Sequence, residues 1–111
     1  MARSTDRAAG AVFAALADPT RRRVVAELSS DGPLTGTELA HRLPVSRQAV
    51  AKHLAALELA GLATARHSGR ASRFALRTEP FAQAEAWMAA IGATWELRLQ
   101  HFKQFVEEER T

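Results

Sequence analysis

Cysteine is absent from the 111 residues, which removes disulfides, thiolate metal sites and thiol redox switches together. No apolar run approaches the roughly 20 residues that cross a bilayer. The N-terminal MARSTDRAAG is charged where a secretion signal carries an apolar stretch. A cytoplasmic protein is therefore expected. No Ser/His/Asp set, carboxylate pair or glycine-rich phosphate loop converges, so enzyme chemistry is not expected. The four histidines, His41, His53, His67 and His101, are dispersed, and no second histidine stands three or four residues from His101 to complete a metal site. No cofactor is expected. The length suits one domain, residues 1–111, with a real but modest core; two would not fit.

What is present is unevenly charged. Residues 34–77 hold seven basic and two acidic residues, a net of +5, whereas residues 1–33 hold five and four (+1) and residues 78–111 three and six (−3). The partner that exploits a basic middle segment is a polyanion.

That middle segment opens with two short helices. Thr35 and Glu38 have the spacing of a capping box, so a helix is expected to begin near Gly36, burying Leu39, Ala40 and Leu43 and stopping at Pro44. Ser46 is placed as the N-cap of a second helix. Val50, Leu54 and Leu57 share its inner face, and Gly61-Leu62 supplies the left-handed residue and apolar contact that end it. Gln48, Lys52, Ala55 and Leu59 project to the opposite side with Ala49 and Ala56 beside them. This is a helix-turn-helix, and its second helix, residues 46–60, suits the major groove of DNA. Gln48 and Lys52 are the expected base readers. Arg47, taken to flank the buried face, is expected on phosphate.

Two helices precede these. Residues 5–17 are alanine-rich, with Val12, Phe13 and Leu16 on one side. Asp18-Pro19 caps the next, which carries Val24, Val25 and Leu28 inward and ends in Ser29-Ser30-Asp31-Gly32-Pro33. Arg21, Arg22 and Arg23 point three ways around it, which favours a solvated first turn or a pair with Asp18 over contact with phosphate. After Gly61 the period changes to two strands, 62–66 and 72–77, around a turn at His67-Ser68-Gly69-Arg70. This basic hairpin carries Arg66, Arg70 and Arg73 on its tip and outward side and reads as a wing, with Arg70 suited to a narrow minor groove.

The run Ala15 to Arg21, Leu39-Ala40, Ser46 to Leu57, Ala60-Gly61-Leu62 and Gly69-Arg70 resembles the ArsR/SmtB family of bacterial winged-helix repressors across residues 10–77. The resemblance implies a mainly α fold of five helices plus a wing, and a homodimer on palindromic double-stranded DNA that usually represses its own operon. It also implies dimerisation through the first and last helices. The expected DNA-contacting set is Thr35, Ser46, Arg47, Gln48, Ala49, Lys52, His53, Arg66, Arg70 and Arg73, with His53 half-buried beside Leu54 and Leu57 and a phosphate in its reach. Metal sensors of the family use cysteine pairs or carboxylate and histidine clusters that this chain lacks; Trp87 and Trp95 resemble a branch without an evident metal site.

The last segment supports dimerisation independently. One helix is expected from Phe81 to about Glu109, with Thr78 as its cap. Phe81, Met88, Trp95 and Phe102 recur every seven residues, with Ala84, Ile91 and Phe105 at the complementary positions and Arg98 as an interruption. Phe81 and Met88 are expected to pack partly on the chain's own helices. Trp95, Leu99, Phe102, Phe105 and Val106 lie farther out and need a partner; with Phe13 they form the expected dimer interface. The alternative from another class is a winged-helix protein-interaction module that never touches DNA. Aromatic or acidic residues on the exposed face of residues 46–60 would favour it, and Gln48 and Lys52 do not.

Overall fold

The computed structural model describes the backbone of residues 2–110 and the side chains of residues 6–109; Met1, where the charged N-terminal stretch begins, lies outside the described residues. Five helices and a small sheet follow in the order α1 (Ala2–Leu16), α2 (Pro19–Asp31), β1 (Leu34–Thr35), α3 (Gly36–Arg42), α4 (Arg47–Leu59), β2 (Ala63–Ser68), β3 (Ala71–Leu76) and α5 (Thr78–Arg110). The core joins all the helices with the base of the hairpin: Val12, Val24, Leu28, Leu39, Val50, Leu54, Leu57, Leu62 and Ala84 are buried, and Phe74, Leu76 and Phe81 pack against them. Each large side chain of this set contributes about 1.5–3 kcal/mol by leaving water.

The helix boundaries follow from short-range chemistry. Asp18 accepts the backbone N–H of Arg21 and caps α2, with Pro19 in its first turn. Thr35 and Glu38 form the reciprocal capping box of α3, at 3.1 and 2.9 Å. The Ser46 hydroxyl accepts from Ala49 N–H at 3.1 Å and starts α4. At its end Gly61, with φ +79°, lets Leu62 N–H reach back to the Leu57 carbonyl and Gly61 N–H to Glu58, a Schellman motif. Between α2 and β1, Gly32 has no room for a side chain, because a Cβ there would collide with the Leu28 carbonyl oxygen.

The sheet differs from the sequence expectation in two ways. It has three antiparallel strands, ordered β1-β3-β2, because the extended residues Leu34 and Thr35 pair with Phe74 and Arg73. A two-residue strand carries no periodic signal, so only the pairing reveals it. The hairpin is also tighter than the four-residue turn expected: His67 pairs with Ser72 and Ser68 with Ala71, leaving Gly69-Arg70 as the loop. A 2.8 Å hydrogen bond between Ser72 Oγ and His67 Nδ1 supports that extension.

Helix α5 starts earlier than expected, so Thr78 is its first helical residue and not its cap. At 1.5 Å per residue its 33 residues span about 50 Å, and the described chain is correspondingly elongated, 73 × 34 × 19 Å. Its first turns lie on α1, where Phe13 and Trp87 meet edge to face with centroids 5.6 Å apart. Met88, expected to pack partly on the chain's own helices, is half exposed, and beyond it Ile91, Trp95, Leu99, Phe102 and Phe105 are also exposed. Arg98, which interrupts the stripe in sequence, lays its guanidinium over the Trp95 ring at 5.6 Å.

Candidate nucleic-acid interface

Helix α4 and the hairpin flank a cleft of about 550 Å³. Buried Leu54 and half-buried Phe74 form its floor; Arg47, Ala51, Ala55 and Glu58 of α4 form one wall, Arg70, Ala71 and Ser72 the other, and Thr35, Gly36 and Thr37 close one end. The exposed side of α4 therefore runs through Arg47, Gln48, Ala51, Lys52, Ala55, Glu58 and Leu59. It is rotated toward the hairpin relative to the face that helical periodicity marks as opposite Val50, Leu54 and Leu57.

Asymmetric packing causes the rotation. On the far flank His53 is half-buried, with Arg21 Nε of α2 donating to its Nδ1 at 3.4 Å, and Ala49 and Ala56 on that flank are half-covered. On the near flank the hairpin stands off and leaves the cleft open. Ala49, expected beside the open face, is half-covered. Arg47, expected to flank the buried face, is exposed and lines the cleft whose floor is buried Leu54. Gln48 and Lys52 are exposed as expected. His53 is half-buried as expected, although its ring is engaged by Arg21.

The remaining expected site residues divide by what already holds them. The hydroxyls of Thr35 and Ser46 accept helix-capping bonds, and that of Ser46 keeps its O–H donor. Arg66 and Arg73 are directly opposed across β2 and β3 on the outer face of the sheet, away from the cleft that Arg70 lines. Like charges so placed repel, and the Glu38 carboxylate, 3.2 Å from Arg73 Nη1, offsets this. Thr35, Glu38 and Arg73 thus form one chain of contacts joining the start of α3 to the hairpin. The Thr35 backbone N–H, its hydroxyl and then Arg73 hold the Glu38 carboxyl below the usual carboxylate range.

Ion pairing refines the charge reading further. Arg42 is bound by Glu27 and Asp31 at 3.0 and 2.6 Å, which keeps its guanidinium firmly charged, and Arg77 lies 3.7 Å from Glu79. Among the described residues, Arg47, Lys52, Arg66 and Arg70 of the basic segment have no such partner. These free cations lie around α4 and the hairpin. Sequence reasoning missed Ala51, Glu58, Thr37 and Ser72 as cleft residues. The four- and seven-residue spacings of Arg47, Ala51 and Glu58 mark a common face, but nothing in the sequence shows that this face stays open.

A helix-turn-helix domain family matches residues 16–66. The HTH-type transcriptional regulator Rv2034 of Mycobacterium tuberculosis is 39% identical over 107 residues, covering 96% of this chain and 92% of that protein. The chain belongs to the ArsR/SmtB family of winged helix-turn-helix regulators. The Bacillus subtilis HTH-type transcriptional regulator YuzN is 43% identical over 76 residues, 63% of this chain and 83% of its own. An ArsR-like transcriptional regulator from Rhodococcus sp. RHA1 superposes with a TM-score of 0.77 at 39% identity, covering 92% of this chain and 95% of that one. As a member of this family the protein is a DNA-binding transcriptional regulator and not an enzyme. No helix among the described residues is long and apolar enough to cross a membrane.

Proposed function

We propose that this ArsR/SmtB-family chain is a single domain that works as a cytoplasmic homodimer and represses transcription, its own operon included, by occupying a palindromic operator. In this reading the open face of α4 enters the major groove, where Gln48 and Lys52 contact base edges and Arg47 a phosphate. Arg70 reaches backbone or minor groove from the wing tip, and Arg66 lies along the backbone outside it. The observation that carries the reading is the distribution of unpaired cations: the chain's own acids neutralise Arg42, Arg73 and Arg77 and leave those around α4 and the wing free. Two alanines at the centre of the face, Ala51 and Ala55, allow close approach. A two-fold dimer would present its two α4 helices to successive major grooves about 34 Å apart.

The test is a titration of Gln48→Ala, Lys52→Ala and Arg70→Ala dimers against an operator selected by the wild-type protein and against scrambled DNA, at several salt concentrations. Each reader substitution is expected to cost about 1–3 kcal/mol per base contact and to relax preference at one position per half-site. Arg70→Ala is expected to weaken both DNAs alike and to make the salt dependence shallower by about one unit for each phosphate the arginine had neutralised. Equal losses for all three variants on both DNAs would defeat the groove assignment.

A further inference from the structure

We propose that Glu58 is a specificity-determining residue of the DNA interface, its carboxylate accepting a hydrogen bond from the exocyclic amino group of a cytosine or adenine in each half-site. The proposal rests on the reading that α4 occupies the major groove. Residues 34–77 contain two acids. Glu38 is occupied by Thr35 and Arg73, whereas Glu58 is exposed in the cleft and its side chain makes no ion pair or hydrogen bond among the described residues. It shares that cleft with Arg47 and Arg70, both unpaired, and pairs with neither.

A free carboxylate on a surface meant for a polyanion is unfavourable against every phosphate, because it is acceptor-only and negative. It becomes favourable only where it meets a donor. In the major groove those donors are the amino groups of cytosine and adenine. In the proposed docking the C-terminal half of α4 carries Glu58 toward them. Arg47, Ala51, Ala55 and Glu58 follow one another along the cleft wall, and the alanines leave no bulk between the helix and the groove floor, so the helix can lie along the groove beyond its first two turns. Glu58 would then oppose backbone-only binding and favour sites carrying the right base, two effects that both widen the gap between operator and other DNA.

The experiment selects binding sites from random-sequence DNA with wild-type, E58A and E58Q dimers and measures the affinity of each for the wild-type operator and for scrambled DNA. E58A is expected to bind scrambled DNA more tightly than wild type. It should also lose a cytosine or adenine preference at one position per half-site, other positions unchanged, and narrow the operator-to-scrambled ratio about tenfold or more. E58Q keeps an acceptor oxygen without the charge, so it should share the tighter scrambled binding and retain part of the base preference. If E58A tightens both DNAs equally with an unchanged motif, Glu58 is only a repulsive charge and the proposal fails; it also fails if neither affinity moves. A wild-type protein that selects no sequence overturns the groove reading itself, whereas wild-type selection that survives in E58A overturns this proposal alone.

Discussion

The helix-turn-helix with its wing and the distal half of α5 are built on opposite rules. In the first, Val50, Leu54, Leu57 and Leu62 are buried and the surface is mostly basic or small, with Glu58 and Leu59 exposed as exceptions. In the second, Trp95, Phe102 and Phe105 stand 57%, 64% and 59% exposed in a segment of net negative sequence. A surface of unpaired cations is comfortable in water and attracts a polyanion. A continuous apolar stripe is not, and it calls for a second apolar surface. The contrast shows that the chain satisfies its own core from residues 9–84 and leaves α5 beyond that core to be satisfied by something else. A second copy presents the same stripe, and self-complementary apolar faces suit a two-fold dimer.

The strongest way to break this contrast is to put a charge on the stripe. Trp95→Asp and Phe102→Asp are expected to convert a dimer into monomer or aggregate, read by sedimentation velocity at micromolar concentration, with operator binding lost in parallel. A wild-type protein that sediments as a stable monomer there would remove the reason for the stripe. The next largest effect sharpens the other half. Leu57→Ala, fully buried beneath α4, should cost about 2–5 kcal/mol of folding stability by denaturant melt. Phe102→Ala should instead make the melt depend more steeply on protein concentration.

A smaller effect concerns the brace between α3 and the wing. Glu38 is held below its ordinary range, so its contribution is present above the unfolded glutamate value, about 4.3, and is lost as pH falls through the lower folded value. Wild-type stability should therefore drop more steeply on acidification below that point than that of Glu38→Gln, which lacks the titrating group. Parallel curves would show that the carboxylate contributes nothing through this window. The smallest expected effect is none. Zinc, cadmium or arsenite at stoichiometric levels should leave operator affinity unchanged, as should a chelator, since the chain has no cysteine and its histidines are scattered. A tight one-per-protomer site by calorimetry, coupled to release of DNA, would overturn that expectation.

The caps of α2, α3 and α4, the Schellman end at Gly61, the hairpin and the long last helix are legible in the sequence, because each is written by residues within a few positions of one another. Family membership is legible for the same reason, through local motifs in a fixed order. Tertiary structure decided what depends on contacts between distant residues. Arg73 meets Glu38 across 35 positions and Arg21 meets His53 across 32. The first of these pairings ties the wing to α3. The second lies on the flank of α4 where Ala49 and Ala56 are half-covered, so the open face is turned toward Arg47 and Glu58. Strand β1, the neutralisation of Arg42 and the division of the wing's arginines between two faces have the same origin. A sequence specifies which side chains are charged or apolar; which of them find a partner is fixed only when the elements pack.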